Sequence, residues 1–121
     1  SRSAGQLEDF YAPELFPEWP QKYEKLLLHK GFAQALLSTQ KNLTTMDEIH
    51  QTIDSLELPV YLFWGIHDKV VVYTDFDKKL DKLLPNKKEY FIEEAGHLPH
   101  MENKEAFEGH LLSSIQEVIS E

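Results

Sequence analysis

Hydrophobic and polar residues change their spacing several times along the chain, and each change predicts a different element. The stretch 1–20 is rich in proline and aromatic residues, which predicts irregular structure that packs through its rings. Apolar positions within 21–39 occupy two faces at helical spacing. This pattern predicts either a helix buried between layers or two short helices hinged at Gly31. Residues 46–56 repeat the helical spacing and predict a further helix.

The second half predicts strands alternating with helices. Residues 60–64 are an uninterrupted apolar run, which is typical of a parallel strand buried on both faces. A helix is predicted over 76–84, a second strand over 89–92 and a final helix after Asn103. The stripe expected to be buried on that last helix comprises Phe107, Leu111, Leu112, Ile115, Val118 and Ile119. Together these elements predict an α/β βαβα unit with parallel pairing, and two strands alone would leave its sheet unfinished.

Composition narrows the classes of protein that this pattern can describe. The chain has 121 residues, enough for one ordinary domain, and 41% of them are hydrophobic. Its formal net charge of −9 argues against nucleic acid or an anionic membrane as a partner. There is no cysteine, and therefore no disulfide framework or thiol nucleophile. With no membrane-length apolar run and no signal-peptide pattern at the start, we expect a cytoplasmic protein.

Candidate chemistry follows the two predicted strands, at the point where each strand ends. Asp68 lies in the loop that begins at Gly65, and His97 follows Gly96 in the loop after the second strand. Gly65 is expected to permit a sharp turn and Gly96 an unusual backbone angle. Adjacent parallel strands lie about 4.8 Å apart, so the two loops can touch. We therefore expect the Asp68 carboxylate to accept a hydrogen bond from one nitrogen of His97, which leaves the other nitrogen free to act as a general base.

These residues also resemble a known family. The runs 59–68 and 95–103 (PVYLFWGIHD and AGHLPHMEN) are similar to the late motifs of the α/β-hydrolase fold, and the likeness covers about residues 43–121. The resemblance implies that Asp68 is the acid and His97 the base of a catalytic triad. It further implies that residues 1–45 are a remnant of the helical cap and its connector, and residues 46–121 the C-terminal part of the core. The substrate class implied is a small carboxylic ester or a carbon–carbon bond beside a carbonyl.

The nucleophile of that family is missing from the expected pattern. It sits on a Gly-x-Ser-x-Gly elbow, and the nearest run here, 1–5, has serine in place of the first glycine. No strand precedes Ser3, and prolines follow where the elbow's helix belongs, so Ser3 is a poor candidate for the nucleophile. We therefore expect a C-terminal fragment that is inactive alone and that pairs with a missing N-terminal part or with itself.

Several other interpretations stay open at this stage. Glu93 or Glu94 would be the acid if Asp68 were only a turn residue. His97 and His100 spell a His-x-x-His pair, but Pro99 between them disfavours a metal site, and neither metal nor cofactor is expected. The late motifs are shared by haloalkane dehalogenases and epoxide hydrolases, which use an aspartate nucleophile. A non-catalytic module that self-associates through its open strand edge is the alternative from a different class.

Overall fold

The N-terminal stretch packs through its aromatic rings. We describe residues 5–120 of a computed structural model of the chain. Short 3₁₀ turns cover Gln6–Asp9 and Pro13–Leu15, and Phe10 between them is buried. The Phe10 ring stacks on Phe16 with centroids 4.3 Å apart and meets Trp19 edge-on. Over residues 5–18, the irregular but packed segment predicted from its prolines and aromatic residues is therefore observed.

The helices of the described residues that precede the first strand include α1 (Trp19–Leu27), α2 (Phe32–Lys41) and α3 (Asp47–Ser55). Gly31 separates α1 from α2 with φ of +87°, a left-handed angle that glycine adopts without a steric penalty. Of the two alternatives predicted for residues 21–39, the pair of helices hinged at Gly31 is correct. Burial between layers is wrong, because neither helix contains a buried residue among those described and Leu28 is 84% exposed.

The sheet consists of two parallel strands in the described part of the chain, β1 (Tyr61–Gly65) and β2 (Lys88–Ile92). Their register pairs Tyr61 with Lys88 and Gly65 with Ile92, so both strands end at the same edge. Helix α4 (Asp77–Leu83) connects them. The prediction that the first strand is buried on both faces is wrong, since its first four residues are only half-buried. Two strands and their covering helices leave part of each face open.

Two helices follow β2: the single turn α5 (Pro99–Glu102) and the long α6 (Lys104–Ser120). Asn103 Oδ1 accepts a hydrogen bond from Ala106 N at 3.3 Å, as expected of the cap that starts the last helix. The stripe predicted to be buried along α6 is largely exposed: Leu112, Ile115, Val118 and Ile119 lie on the surface. The buried hydrophobic residues among those described lie elsewhere: Leu83 and Leu84 at the end of α4, Ile92 at the end of β2, Ala95 in the loop after it, and Phe10.

Candidate active site

The loops that follow the two strands are held directly against each other. Ile66 N donates to Ile92 O at 3.0 Å, and His67 N donates to Ala95 O at 2.9 Å. Gly65 is required by this contact, because a Cβ there would lie 2.6 Å from Ala95 O and closer still to Gly96 O. The sharp turn predicted at Gly65 is observed, because Asp68 N donates to Gly65 O at 3.1 Å. The unusual backbone angle predicted for Gly96 is not observed, since its φ is not positive. Close backbone approach, rather than conformational freedom, explains both glycines.

The contact between the loops brings Asp68 and His97 together. His97 Nδ1 lies 2.9 Å from Asp68 Oδ2, the hydrogen-bond distance expected from the two strand ends. The other carboxylate oxygen, Oδ1, accepts hydrogen bonds from Val70 N and Val71 N, both at 2.9 Å. The Asp68 side chain is only 7% exposed, whereas that of His97 is 35% exposed. Asp68 is therefore a fixed, dry acceptor, and an Nδ1–H donated to it would leave Nε2 as the basic nitrogen.

The backbone around His97 is fixed at three consecutive N–H groups. Those of Gly96 and Leu98 donate to Glu102 Oε1, at 2.8 and 3.3 Å. The N–H of His97 itself donates to Asp9 O at 2.7 Å. The N-terminal stretch thus packs on residues 93–98, the loop after β2 that carries His97, which we call the histidine loop. A Cβ at Gly96 would lie 2.7 Å from that same Asp9 oxygen.

A cavity of about 200 Å³ opens beside the pair. Asp68 and His97 line it together with Phe63, Trp64 and Pro99. Apolar walls around a carboxylate and an imidazole are typical of a site that admits a small organic molecule. A larger cavity of about 670 Å³ lies between the N-terminal stretch and Lys69, but neither Asp68 nor His97 lines it.

The other candidate residues in the described part of the chain do not make the hydrogen bond to His97 Nδ1. Glu93 and Glu94 are exposed, and the hydrogen bond to His97 Nδ1 is made by Asp68. The His67 ring stacks on Tyr11 with centroids 4.2 Å apart, and His100 is exposed at the edge of Phe107. The geometry of Asp68 and His97 is compatible with the predicted catalytic roles, which stay a prediction. Ser3 lies outside the described residues.

Sequence reasoning missed Asp9 and Glu102, which meet at the histidine loop. Burial raises the pKa of the Asp9 carboxyl, and the negative charges of Asp68, Glu8 and Glu102 raise it further, while His97 lowers it. Glu102 was visible only as part of the motif after His97. Nothing in the sequence pattern indicated that residue 9 would lie beside residue 97, because that contact depends on tertiary packing.

Replacing Asp9 with asparagine is expected to stabilise the chain at neutral pH. A folded-state pKa above the ordinary value means that the fold favours the neutral carboxyl, and this stabilisation is lost as pH rises through the raised pKa. Asparagine stays neutral, so Asp9→Asn should raise the free energy of unfolding at pH 7 and raise it less near pH 4, where more of the Asp9 carboxyl is already protonated. Urea denaturation at both pH values measures this change, with Asp75→Asn, at an exposed position that does not act on Asp9, as the control. A less stable Asp9→Asn protein at pH 7 would contradict it.

Within residues 5–120, no group of three or more His, Asp or Glu side chains is arranged to hold a metal ion. No helix in this range is both long and apolar enough to cross a bilayer, and α6, the longest, has 17 residues.

Comparison with known proteins defines the class. A family model for the alpha/beta hydrolase fold matches residues 2–104. The chain therefore belongs to the α/β-hydrolase fold family, as the motifs around Asp68 and His97 predicted. No curated protein and no solved structure matched the chain.

Proposed function

We propose that this chain supplies the acid and the base of a serine-type α/β-hydrolase, with Asp68 as the acid and His97 as the base. The observation that carries the proposal is the 2.9 Å contact between His97 Nδ1 and a nearly dry carboxylate oxygen of Asp68. Such a carboxylate selects the imidazole tautomer with the proton on Nδ1 and stabilises the imidazolium that forms during catalysis. Membership of the hydrolase-fold family supports the same pairing.

The chemistry follows from the tautomer. His97 Nε2 removes the proton from a serine hydroxyl as its oxygen attacks the carbonyl carbon of the substrate, and Asp68 stabilises the resulting imidazolium. The same nitrogen then gives this proton to the leaving alkoxide or carbanion, and an acyl-enzyme remains. Water repeats the sequence and releases the acid. The substrate is a small carboxylic ester or a molecule with a carbon–carbon bond beside a carbonyl, bound against the apolar walls formed by Phe63 and Trp64.

The nucleophile belongs to other polypeptide in this proposal. No Gly-x-Ser-x-Gly run occurs in the chain, and the two strands described here leave the sheet faces partly open. Residues 46–121 correspond to the C-terminal part of the hydrolase core and residues 1–45 to a remnant of the cap. An aspartate nucleophile, as in haloalkane dehalogenases and epoxide hydrolases, fits the same acid and base, and the missing elbow would distinguish the two.

Hydrolysis of p-nitrophenyl acetate tests whether the nucleophile lies outside the 121-residue chain that carries the acid and the base. The 121-residue chain should show no turnover above that of its His97→Ala variant, because a base without a nucleophile forfeits most of the acceleration. A polypeptide extended upstream through the same reading frame should hydrolyse an ester or carbonyl substrate. That activity should fall about 10³-fold or more in His97→Ala, as expected when the base of a triad is removed.

Exposed Asp75 provides the matched control, since Asp75→Asn in the extended enzyme changes the same kind of side chain outside the site. Its turnover should equal that of the parent. Hydrolysis by the short chain that disappears in His97→Ala would contradict the proposal, because the nucleophile would then lie within these 121 residues.

Self-association is the second candidate function, and the exposed surface of α6 favours it. Ile115, Val118 and Ile119 line a cavity of about 370 Å³ with Tyr61 and Phe63. Clusters of exposed apolar side chains mark interaction surfaces on soluble proteins. The occupant would be a second copy of the chain or the missing N-terminal part.

The native mass of the isolated chain tests this surface. Sedimentation across a dilution series should show an oligomer, and Ile119→Glu should shift it toward the monomer because a charge cannot be buried without a partner. Leu28→Glu, at an exposed position just after α1, is the control and should leave the mass unchanged. A monomer at all concentrations would exclude self-association as the function of this chain.

A further inference from the structure

Glu102 holds both sides of the histidine loop with one carboxylate. Its Oε1 accepts the N–H groups of Gly96 and Leu98, the two neighbours of His97 in the chain. Its Oε2 accepts the N–H of Tyr11 at 2.5 Å, across 91 residues of sequence. Hydrogen bonds to a charged acceptor are about twice as strong as neutral ones, so this clamp is a strong local restraint.

The clamp acts on the one peptide segment that decides where the His97 ring lies. With Gly96 and Leu98 held by Glu102 and the His97 N–H held by Asp9 O, the backbone has no free donor across these three residues. The ring reaches Asp68 at 2.9 Å, and a hydrogen bond weakens steeply when its length or angle departs from this geometry. A small shift of the loop would therefore weaken the hydrogen bond between His97 and Asp68, and with it the preference of the imidazole for the tautomer protonated on Nδ1.

We propose that Glu102 is the positioning residue for His97: its Oε1, by accepting the Gly96 and Leu98 N–H groups, keeps the imidazole in contact with Asp68. The hydrogen bonds described for Glu102 all come from backbone N–H groups, and Glu102 does not line the cavity beside the pair, so we infer that it acts through the backbone. The inference rests on the proposed role of His97, but it concerns the state of the ring and can be tested in the 121-residue chain without any turnover.

Two substitutions separate the reach of the side chain from its charge. Glu102→Gln keeps the length, and its amide oxygen can still accept from Gly96 and Leu98 while its NH₂ group faces the Tyr11 N–H. Glu102→Asp keeps the charge but withdraws the carboxylate by one methylene, so it cannot span all three donors. The restraint on His97 should therefore persist in the Glu102→Gln protein and weaken in the Glu102→Asp protein. The hydrogen bond from Tyr11 N–H should be lost in Glu102→Gln.

¹⁵N NMR of histidine-labelled chain measures the ratio of the Nδ1–H to the Nε2–H tautomer of His97. Glu102→Gln should keep this ratio within about twofold of the parent, and Glu102→Asp should lower it about fivefold, within the range of coupling inside one hydrogen-bond network. Exposed Glu105→Asp is the control and should not change it. Urea denaturation of each variant establishes that the chain is folded.

A folded Glu102→Asp protein with the parent's tautomer ratio would overturn the proposal, since the hydrogen bonds of Glu102 would then join two segments of the chain without positioning the His97 ring. A Glu102→Gln protein whose ratio collapses would overturn it too, because the charge or the Tyr11 contact, rather than the accepted Gly96 and Leu98 N–H groups, would then position the ring. Neither result depends on hydrolysis. The positioning role and the proposed triad can therefore fail independently.

Discussion

Replacing Gly65 with alanine is expected to separate the two strand-end loops and to destabilise the chain by about 2–4 kcal/mol, at and above the usual cost of overpacking a core. The new Cβ would lie 2.6 Å from the carbonyl oxygen and 2.8 Å from the carbonyl carbon of Ala95. Both are backbone atoms of a loop already fixed by hydrogen bonds, so they cannot turn aside as a flexible side chain would. The loops must move apart, and with them Asp68 and His97.

Urea denaturation and the tautomer ratio of His97 measure the two consequences of Gly65→Ala. Gly109→Ala is the matched control, because a Cβ at Gly109 meets nothing within 4 Å. Gly109 lies inside α6, where alanine is favoured over glycine, so this variant should gain about 0.5–1 kcal/mol. A Gly65→Ala protein as stable as its parent would show that the loops do not depend on this approach.

Replacing Asp68 with asparagine is expected to reverse the tautomer of His97. In the parent, the N–H groups of Val70 and Val71 donate to Asp68 Oδ1, and the asparagine oxygen can accept the same two hydrogen bonds. Its NH₂ group then faces His97 Nδ1, and a donor opposite Nδ1 favours the imidazole with its proton on Nε2. The Nδ1–H to Nε2–H ratio should fall about tenfold or more, the size of change expected when a charged acceptor becomes a donor.

The same ¹⁵N measurement decides this prediction. Asp75→Asn, at an exposed position outside the site, should leave the ratio unchanged. Val70 and Val71 amides that stay protected from hydrogen exchange in Asp68→Asn would show that the loop is intact and that the ring alone has responded. An unchanged ratio in that intact loop would mean that Asp68 does not orient His97, and the proposed role of this pair in catalysis would fall with it.

The sequence was informative wherever the physical cause is local. The break at Gly31 and the capping of α6 by Asn103 each depend on a few neighbouring residues and lie where they were predicted. The apolar run predicted as a strand over 60–64 forms β1, shifted by one residue to Tyr61–Gly65. The meeting of Asp68 and His97 followed from one general property of parallel sheets, that adjacent strands end at the same edge.

Burial could not be predicted in the same way, because it depends on what covers a surface. The stripe along α6 has the helical spacing of a buried face, yet Ile119 is 79% exposed. The strand β1 is apolar throughout but only half-buried, since the described sheet has two strands. A hydrophobic pattern records which side chains favour contact with other apolar groups, and it does not say which polypeptide provides the contact.

By itself the sequence determined the order of the elements, the family motifs and the two side chains at the strand ends. Only the tertiary structure decided why Gly65 and Gly96 must be glycine, and which residues hold His97 in place. Asp9 and Tyr11 reach the histidine loop across almost the whole chain, through the backbone oxygen of Asp9 and the backbone N–H of Tyr11. Backbone groups are the same in every residue except proline, so a contact made through them leaves no trace in the side-chain pattern.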